Sequence, residues 1–81
     1  MATTSYVAFY KVGGSNPWYS WDGPCESRSR AMQNIAGYER DEPGFRFVRL
    51  FESPDAVQQA IAYARANGLP LHPAIDVREY E

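Results

Sequence analysis

Residues 42–55 read EPGFRFVRLFESPD, and the fold turns on how this stretch is read. Pro43-Gly44 is a turn signal and Ser53-Pro54-Asp55 is a helix start; residues 45–51 between them are all apolar or arginine, which predicts a strand there. Side chains alternate across a strand, so Phe45, Phe47, Arg49 and Phe51 share one side and Arg46, Val48 and Leu50 the other. Each side then carries an arginine. Arg46 is near the strand's start and can run its stem along apolar surface to the edge. Arg49 is mid-strand, and a buried, unpaired guanidinium costs about 3–5 kcal/mol. Burying one Phe gains about 1.5–3 kcal/mol. The expectation is that Val48 and Leu50 lie under the helices and that the Phe face is open as an aromatic patch of the kind that marks binding sites. Two alternatives compete: Arg49 paired inside, or the Phe face covered by the N-terminal segment or loop 13–17.

Working outward, Tyr6–Val12 is aromatic and β-branched and stops at Gly13-Gly14, and Trp18–Trp21 makes a short hairpin partner for it. Asp22-Gly23-Pro24 looks like a helix start, with the helix running to about Tyr38 and Cys25, Arg28, Met32, Ile35 and Ala36 on one face. A second helix follows Ser53 as cap and Pro54 at the first position, with Val57, Ala60, Ile61 and Ala64 as its apolar stripe. Gly68 suits the left-handed residue that ends it, and Leu69 can fold back on the last turn. Residues 74–80 are a plausible last strand. The order ββαβαβ predicts an α+β fold, a single small domain of mostly antiparallel sheet with two helices on one face.

The totals narrow the function. At 81 residues the chain is one domain with a thin core, and its six Tyr, four Phe and two Trp must supply much of it. Net charge is −2, divided as +1 over residues 1–40 and −3 over residues 41–81, which excludes a strongly basic nucleic-acid binder. One cysteine allows no internal disulfide and fits a reducing compartment. No apolar run reaches the roughly 18 residues of a membrane span, and the start Met-Ala-Thr-Thr-Ser does not read as a signal peptide. These features predict a soluble protein of the cytoplasm.

Catalytic chemistry finds little footing. Cys25 at a helix start, His72 and Asp76 can be drawn as a triad, but no local signature joins them, and a half-buried thiol with a turn histidine explains them as well. One Cys and one His make a zinc site improbable, and Gly13-Gly14-Ser15 lacks the lysine and helix of a phosphate loop. We expect no enzyme, cofactor or metal. Candidate partner-binding residues are Phe45, Phe47, Arg49 and Phe51, with Trp18 and Trp21, which alternation puts on opposite sides of their strand. Glu39, Asp41 and Glu42, with Asp76 and Glu79 near the C-terminus, are either a solvated surface or a match for a basic partner.

Two resemblances bear on function. GFRFVRLFESPDAVQQAIAYARANGLPLHPAIDVREYE, residues 44–81, resembles the second half of an RNA-recognition motif, with Gly44, Phe45, Phe47 and Val48 on the strand pattern. It departs at Pro43 and Arg46, where that family has a basic and a small residue. The resemblance implies that Phe45 and Phe47 stack bases of single-stranded RNA or DNA. The whole chain resembles phage-encoded anti-CRISPR proteins in general character: a small α+β unit, an opening MATTSYVAFYKVGGSNPWYSW that goes straight into a hairpin, and a pI of about 5.3. That implies a stoichiometric inhibitor in the cytoplasm of a bacterial host. Such a protein binds the basic DNA-binding surface of a CRISPR-Cas effector complex, here expected to be a type I Cascade, and blocks DNA binding or cleavage. Apart from either resemblance, an open Phe face can instead be consumed by self-association in a homodimer.

Overall fold

A computed structural model describes residues 3–80. Its elements are β1 (Ser5–Val12), β2 (Trp18–Cys25), α1 (Arg28–Asp41), β3 (Arg46–Ser53), α2 (Ala56–Ala66) and a short 3-10 turn, Val77–Tyr80. The α+β class and the antiparallel sheet are as the sequence predicts, and the sheet order is β2-β1-β3. Both outer strands run antiparallel to β1 and so parallel to each other, with α1 crossing between them.

The helices do not share a face. Val7 and Phe9 point to α2 and join Phe51, Val57, Ala60 and Ile61, while Ala8 points the other way to Ala31 and Ile35 of α1. The sheet is therefore the middle of three layers. The α2 side is the larger core. Phe9 is fully buried and its ring meets Tyr19, Phe51 and Tyr63 at centroid distances of 5.6, 6.2 and 5.7 Å. Ala56, Ala60 and Ala64 recur every fourth residue and let α2 approach the strands closely.

A β-bulge in β3 overturns the single Phe face. Phe9 pairs with Arg49 but Tyr10 pairs with Phe47, so Val48 is the extra residue. Period-two alternation breaks there. Phe51 and Arg49 stay on the α2 side, while Phe45 and Phe47 turn to the α1 side with Leu50. Phe51 is buried, and the other two phenylalanines are half-buried against α1. Arg49 is exposed, as its charge demands, with its guanidinium 4.7 Å from the Phe51 ring centre and 5.3 Å from that of Tyr63. It escapes sideways because β3 is an edge strand, so an outward Arg49 does not drag its aromatic neighbours outward.

The helix starts also move. β2 continues to Cys25, which pairs with Tyr6, and α1 is capped by Ser27, whose Oγ accepts from the Arg30 amide at 3.2 Å. Asp22 is not the cap because it lies within β2, where its carboxylate accepts from Asn34 Nδ2. The buried stripe of α1 is Ala31 and Ile35, and Met32 lies in solvent rather than in the core. At α2 the residue preceding the first turn is Asp55, and Ser53 Oγ accepts from the Asp55 amide at 3.3 Å instead of capping the helix directly. The end of α2 is as predicted: Gly68 has φ of 64° and the Leu69 amide donates to Ala64 at 2.9 Å.

No strand forms over 74–80. Pro70 and Pro73 flank a single parallel bridge between Leu71 and Tyr19, and the chain then turns through Val77–Tyr80. Proline has no amide to extend a ladder, which ends the pairing after one bridge. That bridge is firm: the Tyr19 amide donates to Pro70 at 2.8 Å and the His72 amide donates to Tyr19 at 2.9 Å. Among the described residues, no helix is long and apolar enough to cross a membrane.

Candidate functional site

The α1 side of the sheet carries an open aromatic and acidic surface. It begins with three rings from separate elements. Tyr10 of β1, Tyr38 of α1 and Phe45 at the foot of β3 touch each other, with centroid distances of 5.0 Å for Tyr10–Phe45, 5.7 Å for Tyr38–Phe45 and 5.8 Å for Tyr10–Tyr38. Helical spacing from Ala31 and Ile35 brings Tyr38 to this side, and the β3 bulge brings Phe45. Trp18 stands across from Tyr38 at the hairpin end of β2, opposite Val12, with its ring edge-on to His72 at 4.2 Å.

Tyr10, Val12, Trp18, Tyr38 and Glu42 enclose a notch of about 250 Å³. β1 contributes Tyr10 and Val12, β2 contributes Trp18, and Tyr38 and Glu42 come from the end of α1. Glu42 follows the last turn of α1 and its amide donates to Tyr38 at 2.8 Å, so the side chain sits at the negative end of the helix dipole.

A second, shallower groove continues past Tyr38, lined by Asp22, Gln33, Asn34, Gly37 and Asp41. Asn34 Nδ2 donates to Asp22 at 2.6 Å and the Tyr38 hydroxyl donates to the same carboxylate at 3.4 Å. Asp22 raises the pKa of the Tyr38 phenol above its ordinary value, with partial burial next in importance and smaller contributions from Tyr10 and Glu42. The phenol thus reports a negative local potential. Burial, then Asp22, also raises the Cys25 thiol, against an opposing effect of Arg30. Cys25 is accordingly held as a neutral thiol, 4.0 Å from Asp22 and 3.9 Å from Asn34.

The predicted residues divide between two sides. Trp18, Phe45 and Glu42 meet here, Asp41 lines the adjoining groove, and Phe47 packs beneath α1. Glu39 is exposed on the same helix, while Arg40 Nε turns to Asp41 at 3.2 Å. Trp21, Arg49 and Phe51 lie on the α2 side. Asp76 and Glu79 are there too, because Val77 joins the α2 core and the Tyr80 ring meets Trp21 at 5.7 Å. Asp76 is occupied by Arg78, and His72 Nδ1 accepts from the Ala74 amide at 3.0 Å, so Cys25, His72 and Asp76 each have separate partners.

Tyr10, Asp22, Asn34 and Tyr38 complete the site without being conspicuous in the sequence. Asp22 reads as a helix cap, and Tyr38 as the frayed end of a helix weakened by Gly37. The spacing 31, 34, 35, 38 is the signal that places them together, but only Ile35 among them is strongly apolar. No protein-family model, curated protein or solved structure matches the chain.

Proposed function

We propose that the protein is a non-enzymatic inhibitor that docks its α1 side onto a basic surface of a CRISPR-Cas surveillance complex and blocks the complex from binding target DNA. The observation that carries this reading is the meeting of Tyr10, Trp18 and Tyr38 with Asp22, Asp41 and Glu42 on one side of the sheet. Aromatic rings are the usual anchors of protein interfaces, and carboxylates around them steer a positively charged partner and set its register. A channel that holds DNA is lined with Lys and Arg, so it offers the complementary charge. At −2 overall the protein is far from a full mimic of a DNA duplex, and a local acidic wedge that obstructs the channel suits it better. The choice of a type I complex as target rests on the general resemblance to anti-CRISPR proteins.

The alternative, stacking of single-stranded RNA on Phe45 and Phe47, asks for rings free to receive bases. Phe45 is instead in contact with Tyr10 and Tyr38, and Phe47 packs against the α1 core.

A DNA-binding assay on a purified type I surveillance complex tests the proposal. We expect the protein to co-migrate with the complex and abolish its binding to target duplex, and Tyr38→Ala with Asp41→Lys to restore it. Undiminished DNA binding at saturating protein across a broad panel of complexes overturns the proposal. A shift of short single-stranded RNA that disappears in Phe47→Ala installs the RNA reading in its place.

A further inference from the structure

We propose that the notch between Trp18 and Tyr38 is a receptor for one arginine side chain of the partner, with the guanidinium against the aromatic walls and its N–H groups donating to Glu42. The inference deepens the docking reading above and rests on it for its biology.

Size comes first. Drug-sized ligands fill pockets of about 300–1,000 Å³. A notch of about 250 Å³ suits a single long side chain. Its chemistry selects a cation. Aromatic faces attract a cation within about 6 Å of the ring centre. Glu42, one of the lining residues, brings a carboxylate, and the C-terminal end of α1 adds a partial negative charge. Arginine fits better than lysine, because its planar, weakly hydrated guanidinium stacks on rings and still offers a fork of donors to a carboxylate.

Among the described residues, no Lys or Arg lines the notch. Arg40 bonds Asp41. Lys11 and Arg46 are opposite each other in the β1–β3 register, and Lys11 is also opposite Tyr19, which packs on the α2 side. The walls are held before a ligand arrives. Tyr38 is fixed by Tyr10, Phe45 and its bond to Asp22, and Trp18 is fixed by His72. A pre-formed receptor loses little side-chain freedom on binding.

The test needs no surveillance complex. Acetyl-Gly-Arg-Gly-amide, and the same peptide with lysine or norleucine in place of arginine, are titrated into isotope-labelled protein and followed by NMR. We expect saturable shifts at the Trp18 indole N–H and the Tyr38 ring with the arginine peptide, weaker ones with lysine and none with norleucine. Glu42→Gln is expected to weaken the arginine peptide about tenfold, with an otherwise unchanged spectrum. Norleucine binding as well as arginine, shifts that avoid both rings, or no saturation up to the solubility of the peptide each overturn the receptor. The two proposals fail separately. Arginine binding without inhibition of any complex leaves the receptor and removes the target; inhibition unchanged by Glu42→Gln, with no arginine binding, does the reverse.

Discussion

The two sides of the sheet are built to different rules. On the α2 side, Phe9 is sealed by three rings and an alanine-lined helix, and the stripe Val57, Ala60, Ile61 and Ala64 is plain in the sequence. On the α1 side, among the described residues, only Ala8, Ala31 and Ile35 are fully dry, and around them stand half-buried rings and a hydrogen-bonded Asn34–Asp22 pair. One side is a close-packed core that specifies the fold. The other is a small core with a wide polar and aromatic margin, the surface on which the proposed docking takes place.

The largest expected effect addresses that division directly. Phe9→Ala removes a ring with no room for its neighbours to collapse and is expected to cost about 3–5 kcal/mol in urea-unfolding experiments. Ile35→Ala, also buried but beside a yielding margin, is expected near the lower end of its range, about 2 kcal/mol. If Ile35→Ala proves the more damaging of the two, the contrast between the sides is wrong.

A smaller effect tests the join between them. Gly23 has φ of 116°, and a Cβ there would lie 2.7 Å from the Tyr6 carbonyl oxygen and 2.9 Å from the Cys25 amide nitrogen. Gly23→Ala therefore meets both backbone strain and a clash, and we expect a loss of about 1–3 kcal/mol. A neutral substitution would mean that the Tyr6–Cys25 end of the hairpin is not needed to seat α1.

The smallest effect sharpens the electrostatic picture. A phenol is neutral when protonated, so nearby carboxylates oppose its ionisation and raise its pKa. Asp22→Asn removes the largest such influence on Tyr38, and its titration, followed by ultraviolet absorbance or ring NMR shifts, is expected to move down toward the ordinary value. An unchanged titration would detach Asp22 from the site.

How far the sequence foretold this molecule follows the same divide. The hairpin, both helices, the strand at 45–51 and the glycine end of α2 are legible because each has a local signal in period or turn chemistry. The bulge at Val48 has none: no glycine marks it, and only pairing with β1 forces it. A single inserted residue was enough to divide four residues that alternation puts together. Arg49 illustrates the same limit. Its exposure follows from its charge, but the escape route follows from being on an edge strand, which is a property of the whole sheet. The acidic residues followed suit. Asp41 and Glu42 stay beside Trp18 and Tyr38, whereas Asp76 and Glu79 go to the far side with a tail that turns instead of forming a strand.

The short bridge at Leu71 has a consequence for how this protein meets others. It occupies the outer backbone groups of Tyr19, and the opposite border of the sheet is kinked at Val48 and studded with exposed Arg46, Arg49 and Glu52. At these places the borders are poor templates for a foreign strand. Both features work against edge-to-edge pairing there, which leaves the side-chain surface of the α1 side as the better ground for the proposed contact.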